Sequence, residues 1–424
     1  MKKVLVAGAA LLIAGSMVSA ASAEVNLSGD ARVRYVGKSD YKAIYTPNGD
    51  GTFSENLSGY QDSFNSRIRV KFDAKANGGA FMKARLRFDD FTWDGQGWGA
   101  WSEGKNVWAD YAYIGVPMGD VVFTGGRMPA DYSKFFSYDN RPTRVKLDWK
   151  VDNVRLIGLI DVIDENSNIV DDWDDNDFMG YGLVGSVKIN DDWFVKGYAR
   201  YVDDQREYDV ASIDIEIPDP NSEMGGATIS YPLVAAGHKD RSGFLGSIHA
   251  EGKIAMVGLE GEIAYKEADV QGTQDDGWGW YLDASMDMGA FQPSLMIGGT
   301  YDGYLADDDF GFIMVGAAEP ITAITQVGNK GGDSYFVALV TRYTLSDQFK
   351  LAGNLAYFDY DVDAADRIAQ AFEISASATY TISEGADLTY KLGYLAPDYD
   401  GQVNALGVSD DGMFGQYLRM AIKF

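Results

Sequence analysis

Run after run of this chain alternates apolar and polar residues with period two. A strand places successive side chains on opposite faces, so this pattern writes many strands with one apolar and one polar face each. From Val25 to Tyr35, Val25, Leu27, Gly29, Ala31, Val33 and Tyr35 share one face, while Asn26, Ser28, Asp30, Arg32 and Arg34 share the other. A second run sets Phe64, Ile68, Val70, Phe72 and Ala74 against Asn65, Arg67, Arg69, Lys71, Asp73 and Lys75. Asn77-Gly78-Gly79 follows at once, and then Met82, Ala84, Leu86 and Phe88 oppose Lys83, Arg85, Arg87 and Asp89. Two alternating runs around Asn-Gly predict a hairpin.

The same pattern continues to the carboxyl end and predicts about 18 strands, with 16 as the alternative count. Short turns are expected near Asn77, Gly119, Asp152, Asp191, Ala255, Gly289, Asp347 and Glu384. Longer loops fall between them, the longest being Asp203 to Asp240 and Asp302 to Gly332. Within the first of these, Tyr208 to Val234 reads as a hairpin outside the barrel, the alternative being two more spanning strands. Short turns at one end and long loops at the other are the layout of an all-β, antiparallel up-and-down transmembrane barrel, with short periplasmic turns and long extracellular loops. Tyr35, Phe64, Trp149, Tyr201, Tyr301, Tyr343, Tyr380 and Tyr394 sit near the ends of apolar faces, as interfacial girdles require.

The amino end supports export. Lys2 and Lys3 precede an uncharged apolar run from Val4 to Val18, and Ala21-Ser22-Ala23 supplies a small-x-small cleavage site. Residues 1–23 are therefore expected to be a secretory signal peptide, and residues 24–424 a single barrel domain. No later apolar run approaches the roughly 18 residues of a spanning helix. A barrel needs none, because it shows lipid only every second residue. Removing Lys2 and Lys3 takes the 36 basic residues to 34 against 63 acidic ones, a net charge of −29, which argues against a nucleic-acid partner.

The last run places Phe414, Leu418, Met420, Ile422 and the terminal Phe424 on one face. A barrel strand ending in carboxy-terminal Phe is similar to the signal by which the barrel-assembly machinery recognises bacterial outer-membrane proteins. Tyr111-Ala112-Tyr113-Ile114-Gly115-Val116, followed by Met118-Gly119-Asp120 and Gly125-Gly126-Arg127, resembles the strand–turn–strand before the constricting loop of Gram-negative homotrimeric porins. The porins of sulphate-reducing and related bacteria are the most similar members. The resemblance implies a water-filled channel for passive diffusion of small hydrophilic solutes and ions. It also implies a homotrimer in the outer membrane, in contact with lipid and lipopolysaccharide. The constriction loop would run from about Met128 to Thr143, carrying Asp131, Lys134, Asp139 and Arg141. No acidic-glycine tip motif is present there.

If the apolar faces meet lipid, the polar faces line the pore. Arg32, Arg34, Arg67, Arg69, Lys71, Lys83, Arg85 and Arg87 then form a basic wall, with Arg127 ending the strand before the loop. Strands lie about 4.8 Å apart, and lumen-facing residues on one strand about 6.6 Å apart. Charges that dense need water or counter-charges; by the family analogy these are Asp131 and Asp139, the alternative being Asp30, Asp73 and Asp89 on the same strands. The acidic loops around Asp164 to Asp177 and at Asp307 to Asp309 read as solvated, without calcium-loop spacing.

No cofactor, metal or catalytic residue is expected. There is no Cys, and of the two histidines only His249 lies on a strand, where Ser247, His249 and Glu251 form a polar stripe. A catalytic triad needs convergence from separate elements. A substrate-selective channel for sugars or oxyanions shares the fold; Phe81, Tyr198 and Phe336 are its candidate aromatic track. A structural or adhesive barrel is the third alternative.

Overall fold

The computed structural model describes residues 24–39, 43–47, 53–57, 60–93, 107–165, 177–205, 212–217, 227–232, 241–273, 275–316, 319–322, 324, 326–329, 332–361, 368–399 and 412–424. The expected signal peptide, His238 and most of the acidic segment from Asp164 to Asp177 lie outside them.

Twenty-two strands follow in order: β1 Glu24–Ser39, β2 Ala43–Pro47, β3 Phe53–Leu57, β4 Tyr60–Lys75, β5 Phe81–Trp93, β6 Trp108–Met118, β7 Val121–Arg127, β8 Thr143–Val151, β9 Val154–Glu165, β10 Asp177–Lys188 and β11 Trp193–Asp204, then β12 Ser212–Ile217, β13 Ala227–Pro232, β14 Gly243–Ile254, β15 Val257–Lys266, β16 Gly277–Met286, β17 Phe291–Tyr301, β18 Ser334–Thr344, β19 Phe349–Tyr360, β20 Ile368–Ser383, β21 Ala386–Tyr399 and β22 Met413–Lys423. Eighteen of them form one sheet, each antiparallel to its neighbours in the chain. The sheet closes because β1 pairs with both β4 and β22. The remaining four make two hairpins outside the ring, β2 with β3 and β12 with β13. The segment from Tyr208 to Val234 is thus a hairpin of its own rather than wall.

All eight expected short turns stand where the breaks in alternation placed them. Gly119 and Gly385 adopt left-handed φ of 66° and 76°, which a residue without Cβ takes at little cost. Closure is sealed at this same end, where the Gly29 amide donates to the Phe424 carbonyl (2.7 Å) and the Phe424 amide to the Gly29 carbonyl (3.0 Å). The Phe424 ring lies over Gly29 so closely that a Cβ there would sit 2.5 Å from it and 2.6 Å from the Arg69 carbonyl oxygen. Gly29→Val should therefore loosen the seam. Its expected signature is loss of the folded, fast-migrating band on unheated gels at a lower temperature than wild type.

The apolar faces point outward. Leu27, Ile114, Leu183, Ile248, Leu295 and Ile374 are each at least half exposed, as are many others at period two. This belt is what a bilayer solvates, and the girdle aromatics Phe64, Trp149, Tyr201, Tyr343, Tyr380 and Tyr394 are exposed with it. The core is instead inside the ring. An eighteen-strand ring is wider than its wall side chains can fill, and two loops fold in to occupy it. Phe135 and Phe136 come from the β7–β8 loop; Tyr304, Phe310, Phe312, Met314, Val315, Ile321 and Val327 come from the β17–β18 loop, and all are buried.

Candidate functional site

The lumen divides into two halves. On one side, from β11 to β20, aromatic contacts bind the loops to the wall. Tyr132 and Phe136 meet Tyr198 with ring centroids 5.3 and 5.4 Å apart. Phe135 meets Tyr281, Tyr304 and Phe310, and Phe310 and Phe312 both meet Phe336 at 6.0 Å. These are ordinary edge and offset aromatic geometries. Tyr198 and Phe336 are thus docking points for loops. Phe81 contacts Tyr113 elsewhere, so the three expected track residues do not form one track.

The β7–β8 loop, residues 128–142, lies inside the barrel. Ser133 donates to Glu262 on β15 (2.7 Å), Ser247 on β14 donates to the same oxygen (2.5 Å), and the Phe136 amide donates to the Ser133 hydroxyl (3.0 Å). The loop meets the β17–β18 loop directly. The Asp307 amide donates to the Phe135 carbonyl, and the Tyr138 amide donates to the Asp307 carboxylate, both at 3.0 Å. Burial pushes the Asp307 carboxyl up to about 6, against the backbone amides that favour its charged form.

The opposite half, β1 and β4 to β6, carries the basic residues. The cross-strand register sets Arg32 opposite Arg67, Arg69 opposite Arg87, Lys71 opposite Arg85, and Arg34 opposite Arg419. Like charges directly opposite repel, so each group must find a carboxylate or water. Glu319, from the β17–β18 loop, accepts from Arg32, from Arg34 (2.7 Å) and from the Tyr417 hydroxyl. Burial alone raises its carboxyl; Arg32, Tyr417 and Arg34 outweigh that and hold it below the usual carboxylate range. Asp30 pairs with Arg69 (2.9 Å) and, at 3.9 Å, with Arg67. Asp110 on β6 collects Arg85, Arg87 (2.9 Å) and Arg141 (3.2 Å). Asp161 on β9 holds Arg144 (2.5 Å) and Arg200 (2.9 Å).

These partners correct the expected counter-charges. The carboxylates set against the wall are Glu319, Asp30 and Asp110. Asp139 pairs with Arg141 inside its own loop, and Asp131 accepts from the Asp139 amide at 3.0 Å. Lys134 is exposed and lies over the Tyr138 ring, 6.0 Å from its centroid. Asp73 lies 4.0 Å from Lys83. Arg127 ends β7, not β1, β4 or β5, opposite Ala112 and Thr143, and lines a cleft beneath the β7–β8 loop. Phe424 stands exposed beside β1, on the outer surface.

Sequence reasoning did not find Asp110, Asp161, Arg200 or Glu319. With them, nine arginines (32, 34, 67, 69, 85, 87, 141, 144 and 200) face five carboxylates (30, 110, 139, 161 and 319), an excess of four positive charges. Between the β7–β8 loop and strands β8 to β11 lies a cleft of about 640 Å³, lined by Arg141, Arg144, Lys146, Arg155 and Arg200 among others. The Ser247, His249, Glu251 stripe does not assemble as nucleophile, base and acid. Ser247 is bound to Glu262, and His249 to Glu260 across the sheet at 3.2 Å.

No protein-family model matches the chain, and no curated protein matches it. Solved structures do. A BenF-like porin from Pseudomonas fluorescens Pf-5 superposes with a TM-score of 0.57 at 8% identity, covering 95% of this chain and 98% of that one. Pseudomonas aeruginosa OccK5 (OpdH) gives 0.56 at 8% identity, with coverages of 95% and 98%. Pseudomonas aeruginosa OprD gives 0.55 at 10% identity and 95% of both chains. At such identities the likeness is one of fold: a closed antiparallel barrel of eighteen strands.

Proposed function

We propose that this barrel is an outer-membrane porin through which small hydrophilic solutes diffuse passively, with anions favoured over cations. The observation that carries the preference is the arginine excess on one side of the inner wall, around the inward loops. The chain as a whole is strongly acidic, yet a permeating ion responds to the charges lining its path rather than to distant loops screened by salt. The basic cleft behind the β7–β8 loop favours a narrower form of the same reading, in which a small oxyanion or carboxylate pauses in that cleft, drawn by the positive charge of its lining.

Homotrimeric assembly, a kinship with porins of sulphate-reducing bacteria, lipopolysaccharide around the loop end and recognition of Phe424 by the barrel-assembly machinery belong to the same proposal. For the trimer, Thr341, Gly353 and Ala376 adjoin across β18 to β20 on the outward face and leave a shallow, flat surface. The test is single-channel recording of purified protein in a planar bilayer under a salt gradient. Stepwise openings in groups of three, with a reversal potential of anion sign, are expected. Silence from folded protein overturns the channel, a cation-sign reversal overturns the preference, and single isolated steps overturn the trimer.

A further inference from the structure

Near the short-turn mouth, the inner wall carries a second cluster of opposite sign. The register puts Glu251 on β14 directly opposite Glu260 on β15, and Glu260 directly opposite Asp283 on β16. Three carboxylates in one cross-strand row repel one another. The wall cation Lys196 feels Glu251, Glu260 and Glu262 but makes no ion pair with them among the described residues: it lies over the Tyr132 ring, 4.8 Å from the centroid, and donates to the Tyr132 carbonyl. Lys253, the next inward residue of β14 after Glu251, makes no ion pair among the described residues. Lys188, at the edge of the same cavity, is paired with Asp191 (2.7 Å).

Into this row points His249. It is buried, 4% exposed, with one ring nitrogen 3.2 Å from Glu260, and its Nδ1 has no hydrogen-bond partner among the described residues. An imidazole nitrogen and a carboxylate oxygen from each of Glu251 and Glu260 all lie within 4.8 Å of one another. The Tyr281 hydroxyl donates to Glu260 at 2.7 Å and fixes that carboxylate from behind. A cavity of about 480 Å³, lined by Glu251, Glu260 and Asp283 among others, opens beside them.

We propose that His249, Glu251 and Glu260 bind a divalent transition-metal cation on the inner wall of the barrel. One imidazole and two carboxylates are a ligand set that zinc accepts at about 2.0 to 2.2 Å, and a small rotation of the exposed Glu251 brings the three donors to that reach. The adjoining cavity leaves room for water to complete the coordination. Tyr281 serves as the outer hydrogen bond that orients a ligating carboxylate. Calcium is disfavoured, since it takes six to eight oxygen ligands and the site offers a buried nitrogen. The cation also adds to the positive charge that Lys196 alone sets beside the row.

The experiment is calorimetric titration of the folded full-length barrel in detergent with zinc chloride, and separately with calcium chloride. It needs no channel activity, so it stands or falls apart from the diffusion reading. Wild type should bind one zinc per chain and no calcium at this site. His249→Ala and Glu251→Gln should each weaken zinc binding at least about tenfold. His238→Ala should leave it unchanged. Folding of each variant is checked by its migration on unheated gels; Glu251 is exposed, so that variant remains informative if the histidine variant fails to fold. Absence of zinc binding by folded wild type, or zinc binding equal in wild type and Glu251→Gln, overturns the proposal.

Discussion

Glu319→Gln will release the β17–β18 loop from the basic wall, raising single-channel conductance and exposing the loop to chymotrypsin. In the native barrel one carboxylate serves Arg32, Arg34 and Tyr417, and the arginine side chains there are only 12% and 23% exposed. Removing the acid leaves two largely desolvated cations facing each other's field. Loss of one partner from such a site costs about 3 kcal/mol, which is roughly a hundredfold in the docking equilibrium. Tyr304, Phe310 and Phe312, buried now, become cleavable in the undocked fraction. The second anchor, Glu373, accepts from the Met314 and Val315 amides at 3.1 and 3.2 Å and keeps the loop from leaving altogether. Asp302→Asn, at an exposed position of the same loop, is the control. Equal protection and equal conductance in Glu319→Gln and wild type would sink the idea.

Acid should act on the same anchor. Because the Glu319 carboxyl is held below the usual range, its contribution is complete above about pH 4 and is lost as pH falls through its folded value. Asp307 runs the other way. Its carboxyl is raised to about 6, so its contribution is complete below about pH 4 and is lost as pH rises through 6. Protection of the loop from protease should therefore be greatest near about pH 4, where both contributions are close to complete, and decline on both sides.

The wall of this barrel was legible from residues two apart, and its contents were not. Strand faces and tight turns are local: Arg67, Arg69 and Lys71 alternate with Ile68, Val70 and Phe72 whatever the rest of the chain does. Glu319 meets Arg34 across 285 residues of sequence, and no local period carries that distance. A trace did exist. Phe310, Phe312, Ile313, Met314 and Val315 are too apolar for a loop that stays in water, which marks the segment for burial. Asp110 was hidden for another reason. The register shifts between Arg85 and Leu86, opposite Tyr111 and Ala109. This bulge turns Asp110 inward beside Tyr111, where strict alternation would face it to lipid.

The basic wall itself has the other large effect. Replacing Arg67, Arg69 and Arg85 together by Gln should shift the reversal potential away from anion selectivity by roughly fivefold in permeability ratio. An ion passing about 10 Å from a unit charge in water feels about 0.4 kcal/mol, and at about 0.1 M salt screening cuts that nearly threefold. Three charges then contribute about 0.45 kcal/mol for an anion and the opposite for a cation. The difference, about 0.9 kcal/mol, is a ratio near five. Pairing does not remove the effect, because Asp30 and Asp110 remain after the substitution and their charge is no longer offset. By the count of paired groups the excess falls from four positive charges to one, so the variant weakens the local field without reversing it. The pairing does predict a cost in expression or thermal resistance, since Asp110 is 4% exposed and keeps only Arg87 and Arg141. Lys188→Gln, at the short-turn mouth, shows what the loss of one charge away from the basic wall does. An unchanged reversal potential in the folded triple variant would mean that these arginines hold the wall together and permeating ions follow another path.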